Sequence, residues 1–244
     1  MKTLKTSAEI CAICGELPVP SRVSKPAPTK NSEEPRRLMW ETSCLAAQKS
    51  QAVGVREFHP QSESLAGSVL LAHPGLRDPN FERTVVFLSM QDAENGAFGV
   101  VLNRPSGKRL NELMPNEELG ELAMVPVYLG GPVGSDQLLL AAFRWHEDAA
   151  TGGGAWSWRH DLTLETALEM VQEEGTVLRV FAGYSGWSKG QLEKELTGTT
   201  WVVHSPGPRL LEPDLLPVLW KGLVRTHGPV FEFLTDVPEN LGDN

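Results

Sequence analysis

The sequence predicts an α+β domain built on a large mixed or antiparallel sheet. Short apolar segments rich in β-branched residues outnumber the segments with helical periodicity, and the two kinds do not alternate as they do in a regular β-α repeat. An Asn-Gly pair also lies between two of the apolar segments, which is the strongest short-range signal for an antiparallel hairpin. About three helices are expected beside the sheet.

Eight segments are predicted to be strands. The hairpin signal is Asn95-Gly96, which predicts that the second and third strands pair antiparallel. Glycine-rich turns separate several of the others. The predicted strands span residues 68–72, 84–90, 97–102, 127–129, 137–143, 155–158, 176–182 and 200–204.

Helical signals fall between these strands. Thr163 is a suitable N-cap for a helix over residues 164–171, and Gly175 follows as a stop. Ser188 and Gln191 have the spacing of a capping box, which predicts a second helix over residues 188–196. A third helix is expected over residues 214–225, and residues 110–114 are expected to form a single turn.

Composition narrows the class of protein. The chain has 244 residues, 41% of them hydrophobic, and its longest apolar run is residues 138–143. About 20 apolar residues are needed for a helix to cross a bilayer, which excludes a membrane-spanning helix. The three cysteines all lie before residue 45 and are too few for a secreted disulfide scaffold. We therefore expect a soluble cytoplasmic protein with no membrane partner.

Charge is distributed unevenly along the chain. Residues 1–60 contain 9 Lys/Arg and 6 Asp/Glu, whereas residues 61–244 contain 13 Lys/Arg and 25 Asp/Glu, a net charge of -12. Affinity for nucleic acid comes largely from basic side chains that displace counterions from phosphates. Direct nucleic-acid binding by the domain is therefore not expected.

The N-terminal part is predicted to be separate from the fold. Residues 1–60 are expected to be a flexible, low-complexity extension, and residues 61–244 the domain. The six acidic residues of the extension argue against an organelle transit peptide, and a native start at Met39 stays open. Cys11 and Cys14 form a CxxC pair, but no second pair follows, so neither a metal nor a cofactor is predicted. A redox switch at this pair remains an alternative.

A polar loop at residues 72–84 connects the first two predicted strands. Asp78 precedes Pro79 and favours a turn, and Phe81 is expected to anchor the loop on the core. The simplest interpretation is a pinned structural loop. The alternative places His73, Arg77 and Asp78 at the rim of a pocket.

Two further motifs follow strands. Asn103-Arg104-Pro105 places a guanidinium where it can bind a carboxylate or phosphate, unless Asn103 caps the turn and Arg104 pairs with an acidic side chain of the fold. Gly130 and Gly131 either expose N–H groups to an anion or let two chain segments approach closely. Their spacing does not match a dinucleotide-binding fingerprint.

The segment GYSGWSKGQLEKE, residues 183–195, resembles a nucleophile elbow only in part. Trp187 stands where the elbow requires its last glycine, so Ser185 is not predicted to be catalytic. A glycine-shaped turn, a helix N-terminus that favours an anionic group, and an aromatic wall of Tyr184 and Trp187 are expected instead. None of the histidines has the spacing of a metal-binding motif.

Taken together, residues 67–86, 99–105, 128–133 and 183–195 closely resemble the YqgE/AlgH family, and the likeness runs from about residue 64 to 225. The resemblance implies a bacterial cytoplasmic protein whose α+β fold contains a partly open, barrel-like sheet. Members are described as transcriptional regulators linked to alginate production, without an established biochemical activity, so no catalytic residue is transferred. The motif positions that it marks are Asp78, Phe81, Thr84, Asn103, Arg104, Pro105, Gly130, Gly131, Pro132, Gly183, Tyr184, Gly186, Trp187, Gln191 and Glu195.

Two functions are consistent with these observations. The first is a non-enzymatic regulatory or binding module that acts through a protein partner or a small ligand. The alternative is a small-molecule-binding protein or enzyme with a pocket formed by the Asn103-Arg104, Gly130-Gly131 and Tyr184-Trp187 loops. The candidate ligand-binding positions are Asp78, Asn103, Arg104, Gly130, Gly131, Tyr184, Gly186, Trp187, Gln191 and Glu195.

Overall fold

The structure is a computed structural model that describes residues 64–115, 117–148, 150, 153–160 and 162–236. The predicted N-terminal extension, with Cys11 and Cys14, lies outside the described residues. The strands are β1 (Val69–Ala72), β2 (Val85–Asp92), β3 (Gly96–Val101), β4 (Pro105–Arg109), β5 (Pro126–Leu129), β6 (Val133–Asp148), β7 (Gly153–Arg159), β8 (Thr176–Trp187) and β9 (Trp201–His204). The helices are α1 (Leu110–Leu113), α2 (Leu164–Met170), α3 (Gln191–Thr197), α4 (Leu219–Arg225) and α5 (Pro229–Asp236), with 3-10 turns at Gly120–Met124 and Pro213–Leu215.

All nine strands belong to one mixed sheet with the order β4-β5-β8-β3-β2-β1-β9, and the β6-β7 hairpin joins it through β8. The first part of β8 pairs in parallel with β5 and antiparallel with β6. Its last three residues pair antiparallel with β3. Strand β8 therefore belongs to both halves of the sheet and links them.

The sheet curls into a half-barrel whose open side is bridged by tryptophan side chains. The Trp158 indole of β7 donates to the Ser89 carbonyl of β2 at 3.0 Å, and the Trp156 indole donates to the Gly207 carbonyl at 2.9 Å. Each bridge pairs a part-buried indole donor with a carbonyl that has no strand partner there. The predicted α+β class and the partly open, barrel-like sheet are both confirmed.

Two hydrophobic cores lie on opposite faces of β8. Phe181 faces the interior of the half-barrel with Phe87 and Phe143, whereas its neighbour Val180 faces a second core. This separation follows from the alternation of side chains along a strand. The helices α1 and α2 and the first 3-10 turn cover the second core.

Several strand boundaries differ from the predictions. The segment Pro105–Arg109 forms β4 although its Pro, Ser and Gly residues are typical of a turn, because it pairs with β5 at the edge of the sheet. Strand β6 has 16 residues and β8 has 12, both longer than predicted. Pairing with neighbouring strands extends both strands through glycines and polar residues that interrupt the local pattern.

The helices also differ. The capping-box helix begins at Gln191, because Gly190 takes a left-handed conformation with φ of 73°. The helix predicted over 214–225 is divided into a 3-10 turn and α4, with Pro217 between them. With α5, which was not predicted, the described part of the chain has five α-helices instead of about three. Helix α2 and its Thr163 cap are confirmed, since Thr163 Oγ1 accepts a hydrogen bond from the Thr166 N–H.

A strained turn joins α3 to β9. Thr199 has φ of 57°, a conformation that is costly for a β-branched residue, whereas the preceding Gly198 has φ of -80°. The glycine of this turn therefore lies one residue before the position that requires it.

Replacing Thr199 by glycine should stabilise the protein. We expect Thr199→Gly to raise the free energy of unfolding by about 0.5–1 kcal/mol, because relief of the left-handed strain exceeds the added entropy of the unfolded chain. Urea unfolding measures the change. Gly190→Ala is the control with the opposite expected sign. Gly190 also has positive φ and has open space around it, so alanine there should lower the free energy of unfolding through backbone strain alone. A loss of stability in Thr199→Gly would contradict the assignment of strain.

A histidine pair connects the edge of the sheet to the C-terminal helices. His204 of β9 and His227 after α4 lie with Nδ1 and Nε2 3.1 Å apart. Burial lowers the pKa of His204 to about 4, with the neighbouring His227 adding to the effect, and burial also lowers the pKa of His227. Phe231 of α5 contacts the His227 ring edge-on. The pair is therefore neutral at neutral pH.

The histidine pair should make stability depend on pH. Unfolded histidines titrate near pH 6.5, so between about pH 6.5 and 4 the unfolded chain binds more protons than the folded one and stability falls as the pH is lowered. We expect His204→Gln to lose less stability over this window than the wild type, measured by urea unfolding at successive pH values. Identical pH dependence in the two proteins would contradict the assigned pKa shifts.

Candidate functional site

Asn103 and Arg104 fasten the loop between β1 and β2. Asn103 Oδ1 accepts from the Val85 N–H at 2.8 Å, and its Nδ2 donates to the Arg83 carbonyl at 2.9 Å. The Arg104 guanidinium donates to three loop carbonyls at 2.7–3.2 Å, those of Pro79, Asn80 and Glu82. Backbone carbonyl groups therefore occupy this guanidinium, rather than the acidic side chain or the anionic ligand that the sequence left open.

Within the same loop, Asp78 has a local role. Its Oδ1 accepts from the Asn80 N–H at 2.7 Å, which closes the turn that the sequence predicts. Phe81 reaches the core as expected, where it contacts Trp201 and Trp187 with ring centroids 5.4 and 6.5 Å apart. Arg77 forms an exposed ion pair with Glu82.

Gly130 and Gly131 lie where β5 passes close to β8. A Cβ on Gly130 would be 2.2 Å from the Gly183 carbonyl oxygen, and one on Gly131 would be 2.3 Å from the Tyr184 carbonyl. The Gly130 N–H donates to the Ala182 carbonyl at 2.9 Å. Of the two sequence interpretations, close approach of two backbones is the one that this geometry matches.

The Gly183–Trp187 segment forms the end of β8, so the predicted turn before a helix is wrong. Residues 185–187 pair with β3 and Tyr184 pairs with Val133 of β6, so the strand continues past Gly183, which has a left-handed φ of 71°. Tyr184 and Trp187 are each only 5% exposed, and Ser185 is fully buried. The Ser185 hydroxyl donates to the Gly130 carbonyl at 3.2 Å.

Glu195 of α3 joins two tryptophans. Its Oε2 accepts from the indole N–H groups of Trp187 and Trp201 at 2.9 and 2.8 Å. Its Oε1 accepts from the Gln191 amide at 2.9 Å. Charged acceptors form stronger hydrogen bonds than neutral ones, so this carboxylate fixes α3 against the ends of β8 and β9.

The three loops predicted to form one pocket do lie together. The Leu129 N–H donates to the Arg104 carbonyl at 2.8 Å, and the Val101 N–H donates to the Gly130 carbonyl at 2.9 Å. The loops therefore touch one another directly. A narrow gap in the second core, lined by Leu110, Leu122 and Arg179 among others, is separate from these loops and has no room for a water molecule. Ligand binding at the motif positions stays a prediction.

The described part of the chain contains neither a metal cluster nor a membrane-spanning helix. No three His, Cys, Asp or Glu side chains lie there in an arrangement that could hold a metal ion. Its longest helix has eight residues, and none is long and apolar enough to cross a bilayer.

Arg179 of β8 is a polar residue that sequence reasoning missed. Its side chain faces the interior of the half-barrel and the residue is 2% exposed. The guanidinium donates to the Leu102 and Leu211 carbonyls and lies over the Tyr128 ring. The only signal in the sequence is a single arginine inside the apolar run of residues 177–182.

A profile of the AlgH-like family matches residues 69–231, which is more than half of the chain. The chain belongs to the AlgH-like family. The similarity includes a UPF0301 protein of Streptomyces coelicolor, 39% identical over 171 residues that cover 66% of this chain and 86% of the relative. A UPF0301 protein of Thermobifida fusca is 33% identical, and the alignment covers 75% of this chain and 98% of the relative.

Two solved structures share the fold of this AlgH-like protein. The solution structure of the AlgH protein from Pseudomonas aeruginosa has a TM-score of 0.50 and 26% identity, and the alignment covers 76% of this chain and 99% of that one. The crystal structure of protein DIP2367 from Corynebacterium diphtheriae has a TM-score of 0.55 and 21% identity, covering 72% of this chain and 94% of that one. The family resemblance in the sequence is thus confirmed.

The three hydrogen bonds of Arg104 predict that two arginine variants of this AlgH-like protein differ strongly in stability. Arg104→Met removes three hydrogen bonds and should lower the free energy of unfolding by about 2 kcal/mol. Arg77→Met removes one exposed ion pair and should change it by about 0.5 kcal/mol or less. Urea unfolding and the rate of proteolysis within residues 73–83 measure both effects. Equal stability of the two variants would contradict the structural role of Arg104 and leave its guanidinium available to a ligand.

Proposed function

We propose that this AlgH-like protein is a non-enzymatic binding module that regulates through a protein partner. The observation that supports it best is the internal use of the polar motif side chains. Asn103, Arg104 and Glu195 bond to groups of the protein itself, and the Ser185 hydroxyl is buried. Nucleophilic catalysis needs an accessible nucleophile beside a base, and these motifs offer no such pair.

The charge of the domain favours an indirect mode of regulation. Residues 61–244 have a net charge of -12, which repels phosphate backbones. The same charge attracts basic protein surfaces and accelerates association with them. A partner with a positively charged surface is therefore the class that fits this domain.

Binding to duplex DNA tests whether regulation is indirect. Fluorescence anisotropy with labelled genomic fragments at physiological salt should give weak binding without sequence preference, because few basic side chains are available to displace counterions. Nanomolar, sequence-selective binding to any fragment would contradict the proposal.

Native mass spectrometry of the protein isolated from its source tests whether it has a basic protein partner. We expect a complex of this chain with a second, basic protein in fixed stoichiometry, which dissociates as the ionic strength is raised. Isolation of this chain alone with a retained small molecule would contradict the proposal and favour a ligand-binding protein or enzyme.

A further inference from the structure

Helix α5 presents an apolar stripe to solvent. Val230 and Phe233 are 69% and 72% exposed, and Leu234 is 36% exposed. Phe233 is the most exposed large apolar side chain among the described residues. Because residues three and four apart lie on the same side of a helix, these three side chains adjoin one another. Contiguous exposed apolar side chains are typical of surfaces that bind other proteins.

A different side of α5 holds the helix on the fold. Phe231 contacts the rings of His73 and His227, with centroids 5.7 and 6.0 Å away. Thr235 is buried, and its hydroxyl accepts from Arg225 Nε at 3.4 Å. With 3.6 residues per turn, Phe231 and Thr235 lie about 120° around the helix from the centre of the stripe. The fold therefore fixes the orientation of α5 while the stripe stays exposed.

Negative charge around the stripe determines which occupants fit it. Glu232 of α5 is exposed, and residues 229–244 contain four Asp/Glu and no Lys or Arg, a net charge of -4. A second copy of the chain would bring the same acidic residues together across an isologous interface. A membrane surface is itself negatively charged and would repel them. A basic protein surface is the class of occupant whose charge complements this helix.

The spacing of the stripe indicates how a partner would receive it. Apolar side chains at positions i, i+3 and i+4 are the pattern by which an amphipathic helix binds in a hydrophobic groove. Phe233 is the one aromatic side chain of the stripe. Large aromatic side chains that enter a pocket supply a major part of the binding free energy in such interfaces. Phe233 is therefore the expected anchor.

We propose that the exposed stripe of α5 is the docking surface for the protein partner, which receives it in an apolar groove with Lys or Arg at its rim. Val230, Phe233 and Leu234 fill the groove, and a basic side chain of the rim pairs with Glu232. This inference rests on the proposed function, because it assigns the surface through which that partner is bound.

Photocrosslinking of the full-length chain in cells of its source tests the surface. One chain carries p-benzoylphenylalanine in place of Phe233, and the matched control carries it in place of Met124, which is 57% exposed and lies outside α5. We expect position 233 to crosslink to a second protein, at a segment with apolar residues flanked by Lys or Arg, and position 124 not to. Absence of a crosslink at position 233 overturns the proposal, as does a crosslink to another copy, a crosslink to residues 1–63 of the same chain, or equal crosslinking at both positions.

Titration of the crosslinked protein, purified, against variants of the full-length chain separates the two proposals. Phe233→Ser should weaken the complex by about tenfold or more, and Met124→Ser by less than about twofold. Both side chains are exposed, so urea unfolding should show the same stability for both variants. If the wild-type chain forms no complex with a basic protein, the proposed function fails as well. A complex that Phe233→Ser binds as tightly as the wild type overturns only the α5 surface, and a complex insensitive to ionic strength overturns the basic rim.

Discussion

The fold depends on the close approach of two backbones where β8 passes from one half of the sheet to the other. Gly130 and Gly131 at the end of β5 contact the backbone of β8, and Gly183 takes φ of 71° at the same place. A Cβ on any of the three would lie under 3 Å from backbone atoms. Without these glycines β8 could not pair with β5 and β6 and then with β3, and the half-barrel would not curl around its core.

The polar motif residues act around this junction. Loops beside it have few strand partners, and their buried N–H and carbonyl groups must be satisfied by side chains. Asn103 and Arg104 do this for the loop before β2, and Glu195 does it for two indoles. Residue types that the sequence presents as candidate ligand groups therefore have an architectural role.

The sequence predicted the parts of the fold that depend on local chemistry. Asn95-Gly96 predicted the β2-β3 hairpin, and Gly96 indeed has φ of 88°. The end of β8 was mistaken for a turn, because Gly183 and Gly186 carry a turn signal, whereas pairing with β3 and β6 makes the segment a strand. The partners of Arg104 were not predictable, since backbone carbonyls have no sequence signature. Arg179 was missed because one arginine in an apolar strand equally fits an exposed edge position.

Amide hydrogen exchange at the junction tests this account most directly. The N–H groups of Val101 and Gly130 bond across it to the carbonyls of Gly130 and Ala182. If the junction supports the whole fold, both amides should exchange only through global unfolding, with the same free energy and denaturant dependence as amides at the centre of β2. Exchange through a local opening of much lower free energy would contradict the account, because it would make the junction a mobile loop cluster like those that open to admit ligands.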